Sequence, residues 1–255
     1  MAIIALKAWY LPAYEPLNQL EQRPYDLRLS KNSLLKAGLR ADFLDDSDIV
    51  RQSVWFQRYL GGEPVEFYIE GSGGYAIANI DLISHEIYFV KQEVMAHLEP
   101  IIYFCCQSDY EPATELLHQE LTTAIASLNQ KSRLPLSLEI SHRLSAGPAR
   151  LDSSLTRKIR KSLLFIADGT PILQTTGEVK MAVPSPNVCV EMGYALQSKA
   201  LEQIVVAHME RPDLVGSYPF DVPSQNRLTF ASQADLANQL PQFLAAGLAR
   251  FNLWS

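Results

Sequence analysis

The segment Ser185-Pro186-Asn187-Val188-Cys189-Val190-Glu191-Met192-Gly193-Tyr194-Ala195 holds the residues best placed to do chemistry. Ser185 suits a helix N-cap and Pro186 the first helical position, so the start of a helix is well specified. A capping box would put its acid three residues after the cap, at Val188, so Glu191 lies too deep to serve as one. At about 100° per residue, Val188, Met192 and Ala195 form the buried face, while Asn187, Glu191, Tyr194 and Ser198 fall along one adjoining stripe. A carboxylate there can stabilise a developing positive charge, orient hydroxyl groups or attack an electrophilic carbon. A lone acid on a helix is more often a solvated surface group, and its border with the apolar face leaves both readings open for Glu191.

Two other segments could face the same ligand. Asp168 ends the wholly apolar run Leu163-Leu164-Phe165-Ile166-Ala167, where it either faces a crevice or closes an Asx turn with Thr170. Gln107-Ser108-Asp109-Tyr110 follows the apolar run Ile101 to Cys106. These become neighbours of Glu191 if the runs are parallel strands, because ligands of open parallel sheets bind outside the carboxyl ends.

The elements needed for that arrangement are legible from about residue 98 onward. Apolar runs of strand length, Ile101–Cys106, Leu136–Ile140, Leu163–Ala167, Gln203–His208 and Arg227–Phe230, alternate with helical patterns over Pro112–Leu128, Ser153–Lys161 and Pro186–Lys199. A last helical segment, Ser232–Leu253, is expected to be interrupted or restarted at Pro241. The expected fold class is α/β, with a flavodoxin-like five-stranded parallel sheet over residues 98–255.

Residues 1–97 read as a separate small α+β domain built on an antiparallel meander. A strand is expected over Ile3–Leu11, a short helix over Ser30–Ala37 stopped by Gly38, and a longer helix over Ser47–Leu60 ended by Gly61 and Gly62. Three strands follow around Val65–Glu70, Ala78–Leu82 and Ile87–Val90, with Gly71–Gly74 as a turn. This part carries no catalytic motif. Trp9, Trp55, Phe56 and Tyr59 read as core packing, or as a self-association surface if exposed beside an open sheet edge.

Composition narrows the classes of partner. Twenty-two Lys plus Arg against 28 Asp plus Glu in 255 residues give a net charge of −6, which disfavours duplex nucleic acid and anionic membranes. No stretch approaches the ~18 apolar residues of a membrane helix, and the N-terminal run has no obvious cleavage site, so a cytoplasmic location is expected. Cys105, Cys106 and Cys189 are odd in number and without metal-ligand spacing, which argues against a disulfide framework and against a metal site. The adjacent pair, Cys105 and Cys106, reads as small buried apolar residues.

Other signals have simpler explanations. Arg157, Lys158, Arg160 and Lys161 complement a helix C-terminus, and Asp42, Asp45, Asp46 and Asp48 suit helix capping better than calcium binding. Of the five histidines only His142 falls near the expected crevice, and no catalytic role is assigned to it.

Ile102-Tyr103-Phe104 with Gln107-Ser108-Asp109, Ile159 to Thr170, Pro184 to Val188 with Glu191-Met192-Gly193-Tyr194-Ala195, and Pro219-Phe220-Asp221 together resemble the bacterial TIR-like family. That family is related in fold and site to the nucleoside 2-deoxyribosyltransferases, and the resemblance spans roughly residues 98–253. It implies that Glu191 is the catalytic residue for cleaving the bond between nicotinamide and ribose in NAD. It implies a substrate pocket around Asp168, Asn187, Tyr194, Phe104 or Tyr103, Gln107, Ser108 and Asp109. NAD is then the substrate and no cofactor is needed. Nicotinamide leaves as a neutral base from a cationic state, so one carboxylate facing an oxocarbenium-like transition state could suffice.

The resemblance further implies an anti-phage immune effector, silent until activated by homo-oligomerisation or a protein partner, and domain order alone then makes the N-terminal domain a sensor or assembly module. Residues 171–184 are an insertion that could be a lid or a surface excursion, and residues 141–150 stand where TIR domains carry the loop that controls assembly and access. Two rival readings use the same residues: a nucleoside or nucleotide N-glycosidase or deoxyribosyltransferase, and a non-catalytic TIR-like interaction module.

Overall fold

The computed structural model describes residues 5–35, 38–92, 95–141 and 153–254. The chain divides into two compact units, Met1–His97 and Leu98–Ser255. Among the described residues no helix is long and apolar enough to cross a membrane.

In the first unit, β1 (Ala5–Tyr10), β2 (Leu27–Leu35), β3 (Gly38–Phe43), β4 (Glu66–Ile69), β5 (Gly73–Asp81) and β6 (Glu86–Lys91) form a closed barrel in the order β1-β2-β3-β6-β5-β4. Every pairing is antiparallel, and β1 closes the barrel by bonding to both β2 and β4. The expected antiparallel meander is the run β4-β5-β6, and the barrel that contains it leaves no strand edge open for self-association among the described residues. The short helix α1 (Leu17–Leu20) follows β1, and α2 (Ser47–Gln52) and α3 (Val54–Leu60) connect β3 to β4.

Two local expectations give way here. Ser30 to Leu35 belongs to strand β2 and not to a helix, while Lys36 and Ala37 lie outside the described residues. Pairing with two neighbours outweighs the weak helical preference of this stretch. Gly38 permits a close strand approach, since a Cβ there would stand 2.9 Å from the Phe89 carbonyl oxygen. The helix expected over Ser47–Leu60 is broken at Ser53, whose extended backbone ends α2 and whose hydroxyl accepts from the Phe56 amide to cap α3. Asp46 caps α2 and Asp45 accepts from the Arg28 amide, so two of the clustered acids have structural work. Trp55 meets Phe67 edge-on at 5.2 Å inside the barrel, and Trp9 packs with Leu20 and Tyr68. Trp9, Trp55 and Phe56 are therefore core residues.

The second unit comprises β7 (Glu99–Cys105), α4 (Glu111–Asn129), β8 (Ser137–Ile140), α5 (Ser153–Lys161), β9 (Ser162–Asp168), the hairpin β10 (Leu173–Gln174) and β11 (Ala182–Val183), α6 (Pro186–Ser198), β12 (Ile204–Met209), β13 (Arg227–Phe230) and α7 (Gln233–Leu248). The five longer strands make one parallel sheet in the order β13-β12-β9-β7-β8. Counted within the unit, that order is 2-1-3-4-5 read from the other edge. All seven residues of β9 are buried, as befits a central strand covered on both faces.

Strand alternation divides the side chains between two faces. Tyr103, Cys105, Phe165, Ala167, Ile204 and Val206 pack against Ile159 of α5 and Val188, Met192 and Ala195 of α6. The other face takes α4 and α7, where Gly247 brings its helix so close that a Cβ would stand 2.6 Å from Leu164. Helix α7 runs through Pro241 without the expected interruption, because Pro241 and Ala237 both lie on the exposed side and the carbonyl that loses its partner can meet solvent.

The stretch 171–184 carries the hairpin of β10 and β11. Thr175 and Met181 bond reciprocally across its stem, and Met181 bridges to Ser217. Of the basic cluster on α5, Lys158 pairs with Glu139 and Lys161 with Glu99, so those two charges are engaged at the helix end.

Lys199, just past α6, donates to the carbonyls of Ser162 (2.6 Å) and Ile159 (3.3 Å). Burial, followed by the nearby Arg250 charge, pulls its pKa down to about 8. Above that value the unfolded chain holds the proton longer than the folded one, so this group's contribution to stability rises with pH toward the ordinary lysine range. Urea midpoints of wild type and Lys199→Met at pH 7.5 and 9.5 should diverge, with wild type gaining about 1–2 kcal/mol relative to the variant. An unchanged difference would contradict this.

Candidate functional site

Helix α6 starts as the sequence specifies, with Pro186 in its first turn and Ser185 as N-cap in an extended conformation (ψ 139°). The Ser185 side chain makes no cap bond, however. Its Oγ is buried without a hydrogen-bond partner, which is unusual for a capping residue.

The stripe beside the buried face has the expected phase. Asn187, Tyr194 and Ser198 are half-buried, while Glu191 is only 6% exposed. Glu191 is thus further inside than a rim position. The Tyr103 hydroxyl on β7 donates to Glu191 Oε2 at 3.1 Å. Tyr103 is itself wholly buried, and its ring lies parallel to Phe165 with centroids 5.8 Å apart. Burial, and then the negative charge of Glu191, pushes the phenol far above its ordinary pKa, so it stays protonated and continues to donate. Phe104 is also buried but alternates to the opposite face, so Tyr103 is the aromatic residue that meets the glutamate.

Asp168 is fully buried at the end of β9 and points away from Glu191. Its neighbour Ala167 packs on the α6 face, whereas Asp168 meets Thr114 of α4 on the other. The Thr170 amide donates to Asp168 Oδ1 at 3.1 Å, the bond of an Asx turn. Around this turn three connections are tied together. Gln107 Nε2 donates to the Thr170 carbonyl at 3.0 Å, the Met209 amide donates to Thr170 Oγ1 at 3.0 Å, and the Thr114 hydroxyl lies 2.9 Å from the Gln107 carbonyl. Burial raises the Asp168 pKa against the opposing effect of these bonds. The Thr114 hydroxyl has one proton and two acceptors within reach, the Gln107 carbonyl and Asp168 Oδ2, and shares that proton between them.

Of the remaining expected residues, Gln107 is buried with Oε1 unpartnered, while Ser108 and Asp109 are exposed on the loop before α4. His142 and the segment 142–152 lie outside the described residues. Cys105 is buried, Cys106 and Cys189 are half-buried, and none of the three is in a disulfide. No group of three or more His, Cys, Asp or Glu side chains among the described residues could hold a metal ion.

The loop from Glu210 to Pro223, between β12 and β13, adds Arg211 and Tyr218, which the sequence did not single out, to the Pro219-Phe220-Asp221 it did. Tyr218 reaches in until its Oη would stand 2.5 Å from a Cβ on Gly169, so only glycine admits it. Its hydroxyl is buried without a partner, and burial raises its pKa far above the ordinary phenol value. Arg211 lies 4.3 Å over the Tyr110 ring and donates to Asp213, joining this loop to the one after β7. A cleft of about 930 Å³ opens here, lined by Pro171, His208, Arg211, Tyr218, Phe220 and Arg227 among others, and Glu191 is not part of its wall.

No protein family profile matches the chain, and no curated protein matches it. A solved structure that does match is the metal-soaked Flv1 flavodiiron core from Synechocystis sp. PCC6803, at 13% identity over 58% of this chain and 34% of that one, with a TM-score of 0.30. A likeness this low supports no inference about fold or activity.

The Asx-turn geometry makes Asp168 a fold residue first. Asp168→Ala should cost about 2–4 kcal/mol in urea unfolding at pH 7, because it strands the Thr170 amide and removes the Asp168–Thr114 bond from a buried site. Asp168→Asn, whose amide can donate to Thr114 while its oxygen accepts from Thr170, should stay within about 1 kcal/mol of wild type. Equal losses for both variants would contradict this role.

Proposed function

We propose that the second unit is a TIR-like NAD glycohydrolase that acts through Glu191. The observation that carries this reading is the buried Glu191 carboxyl group, held by the Tyr103 phenol on the α6 face of a parallel sheet. The strand order 2-1-3-4-5 is that of flavodoxin-like doubly wound sheets, which bind ligands at this edge.

Cleavage breaks the bond from the anomeric carbon to the pyridinium nitrogen. The bonding pair goes to nicotinamide, neutralising its charge, and the ribose is left as an oxocarbenium ion. A carboxylate removed from bulk water stabilises that cation more strongly than a solvated one would. Water then adds to the anomeric carbon and loses a proton, giving ADP-ribose. Tyr103 positions the carboxylate and does not transfer a proton itself, since its pKa lies far above neutrality.

Asn187 and Tyr194, half-buried on the same stripe, are the neighbouring candidates for contacts to substrate. Asp168 belongs to the scaffold of this reading, and Phe104 faces away. Activation by homo-oligomerisation or a protein partner, a role in anti-phage defence, and sensing or assembly by the barrel unit complete the proposal. Three cysteines outside any disulfide suit a reducing cytoplasm.

Mass spectrometry of NAD incubated with concentrated protein tests it. Wild type should release nicotinamide with ADP-ribose or its cyclic form, and Glu191→Gln should lose at least about 10²–10³-fold while keeping its unfolding midpoint. Tyr103→Phe should retain cleavage at a rate lowered by about tenfold or more. Undiminished cleavage by folded Glu191→Gln overturns the assignment. Turnover of deoxynucleosides in place of NAD would transfer the same glutamate to a glycosidase or transferase.

A further inference from the structure

The cleft beneath the β12–β13 loop has a composition that points to a particular kind of ligand. Its volume of about 930 Å³ lies in the range that holds a small molecule. One wall is aromatic: His208 and Tyr218 lie 6.1 Å apart and within 17° of parallel, and Phe220 follows at 5.6 Å from Tyr218. Charges on the lining are balanced, with Arg211 and Arg227 against Glu210 and Asp221, so the cleft does not select a bare anion. His208 Nε2 lies 3.1 Å from Thr229 Oγ1, whereas its Nδ1 is buried without a hydrogen-bond partner. Leaving such an atom unmet costs about 1–3 kcal/mol, which a ligand group could recover. Flat walls, little net charge and one unmet ring nitrogen fit a planar heteroaromatic ring that carries both donors and acceptors.

Its position relates it to Glu191. Alternation along β12 puts Val206, and with it His208, on the α6 face, which also carries Tyr103 and Glu191. The strands β12 and β7 are separated by β9 alone, so two inter-strand steps, about 10 Å, lie between the two places across the sheet. Ala182, three residues before the α6 cap, lines the cleft, so the start of α6 stands beside it.

We infer that the cleft bounded by His208, Tyr218 and Phe220 receives the adenine end of the dinucleotide whose nicotinamide ribose meets Glu191. This rests on the NAD reading above and assigns the second half of the same substrate. His208 meets a ring nitrogen or the exocyclic amine through Nδ1, and Phe220 and Tyr218 supply the apolar wall.

Isothermal titration with AMP, which carries adenine and no nicotinamide, tests the inference. AMP should bind wild type, and His208→Ala should weaken it tenfold or more. Val215→Trp should do the same by filling the cleft from a residue that is 67% exposed and outside the core. On Glu191→Gln protein, where NAD is not consumed, NAD should displace AMP and nicotinamide mononucleotide should not. Absence of AMP binding, binding that neither change weakens, or NAD that binds without displacing AMP overturns the inference. NAD cleavage without AMP binding removes the cleft and spares the Glu191 assignment. His208-dependent binding of AMP and NAD without cleavage supports the cleft and removes the glycohydrolase.

Discussion

A carboxyl group buried under a helix is costly unless something donates to it, and the Tyr103–Glu191 hydrogen bond meets that constraint. Much of the second unit follows from satisfying it. The phenol must come from a strand inside the sheet, its ring must be packed on both sides, and the helix that carries the glutamate must start at a set height above the strand ends. Stacking on Phe165 and the Pro186 start of α6 meet the last two needs. A glutamate held this way has little freedom to relax toward water, which is what pre-organised electrostatic stabilisation requires.

The carboxyl edge of the sheet also carries a second buried acid with different work. Asp168 and Glu191 stand on opposite faces, one closing a turn and clamping Thr114, the other meeting a tyrosine under α6. Their surroundings differ in kind. Asp168 is surrounded by groups that complete a local hydrogen-bond set, and its loss would be felt as instability. Gln107, Ser185, Tyr218 and His208 instead hold buried atoms without protein partners, the first three on loops and a cap position and the last near the end of β12. Atoms of that kind are uncommon in a finished core, and here three of them belong to segments between the parallel strands and the fourth to the end of β12.

Most of this framework was legible from periodicity. The unbroken apolar run of β9 announced a central parallel strand, the bounds of α5 and β13 match the expected ones, and the helical phase of α6 set Glu191 beside the core. What was not legible depends on pairing and on which face of a strand receives which helix. Leu27 to Leu35 looks locally indifferent, and only its two barrel neighbours make it a strand. Tyr103 and Phe104 are adjacent and equally apolar in context, so nothing short of the packed sheet chooses between them. For Asp168 the sequence left a crevice and an Asx turn equally open, and the turn with Thr170 and the contact with Thr114 of α4 show which one its parity selects. Tyr218 left one trace, the glycine at 169 that a residue from a distant loop requires.

In the proposed reaction the Glu191 carboxylate steadies a ribosyl cation as nicotinamide departs. The secondary kinetic isotope effect on cleavage of NAD labelled with deuterium at the anomeric carbon of the nicotinamide ribose reads that cation directly. A rate clearly slower for deuterium than for hydrogen is predicted, because the carbon flattens in the transition state. An effect of unity on a chemically limited step, or no cleavage by the concentrated, assembled protein, would contradict the account.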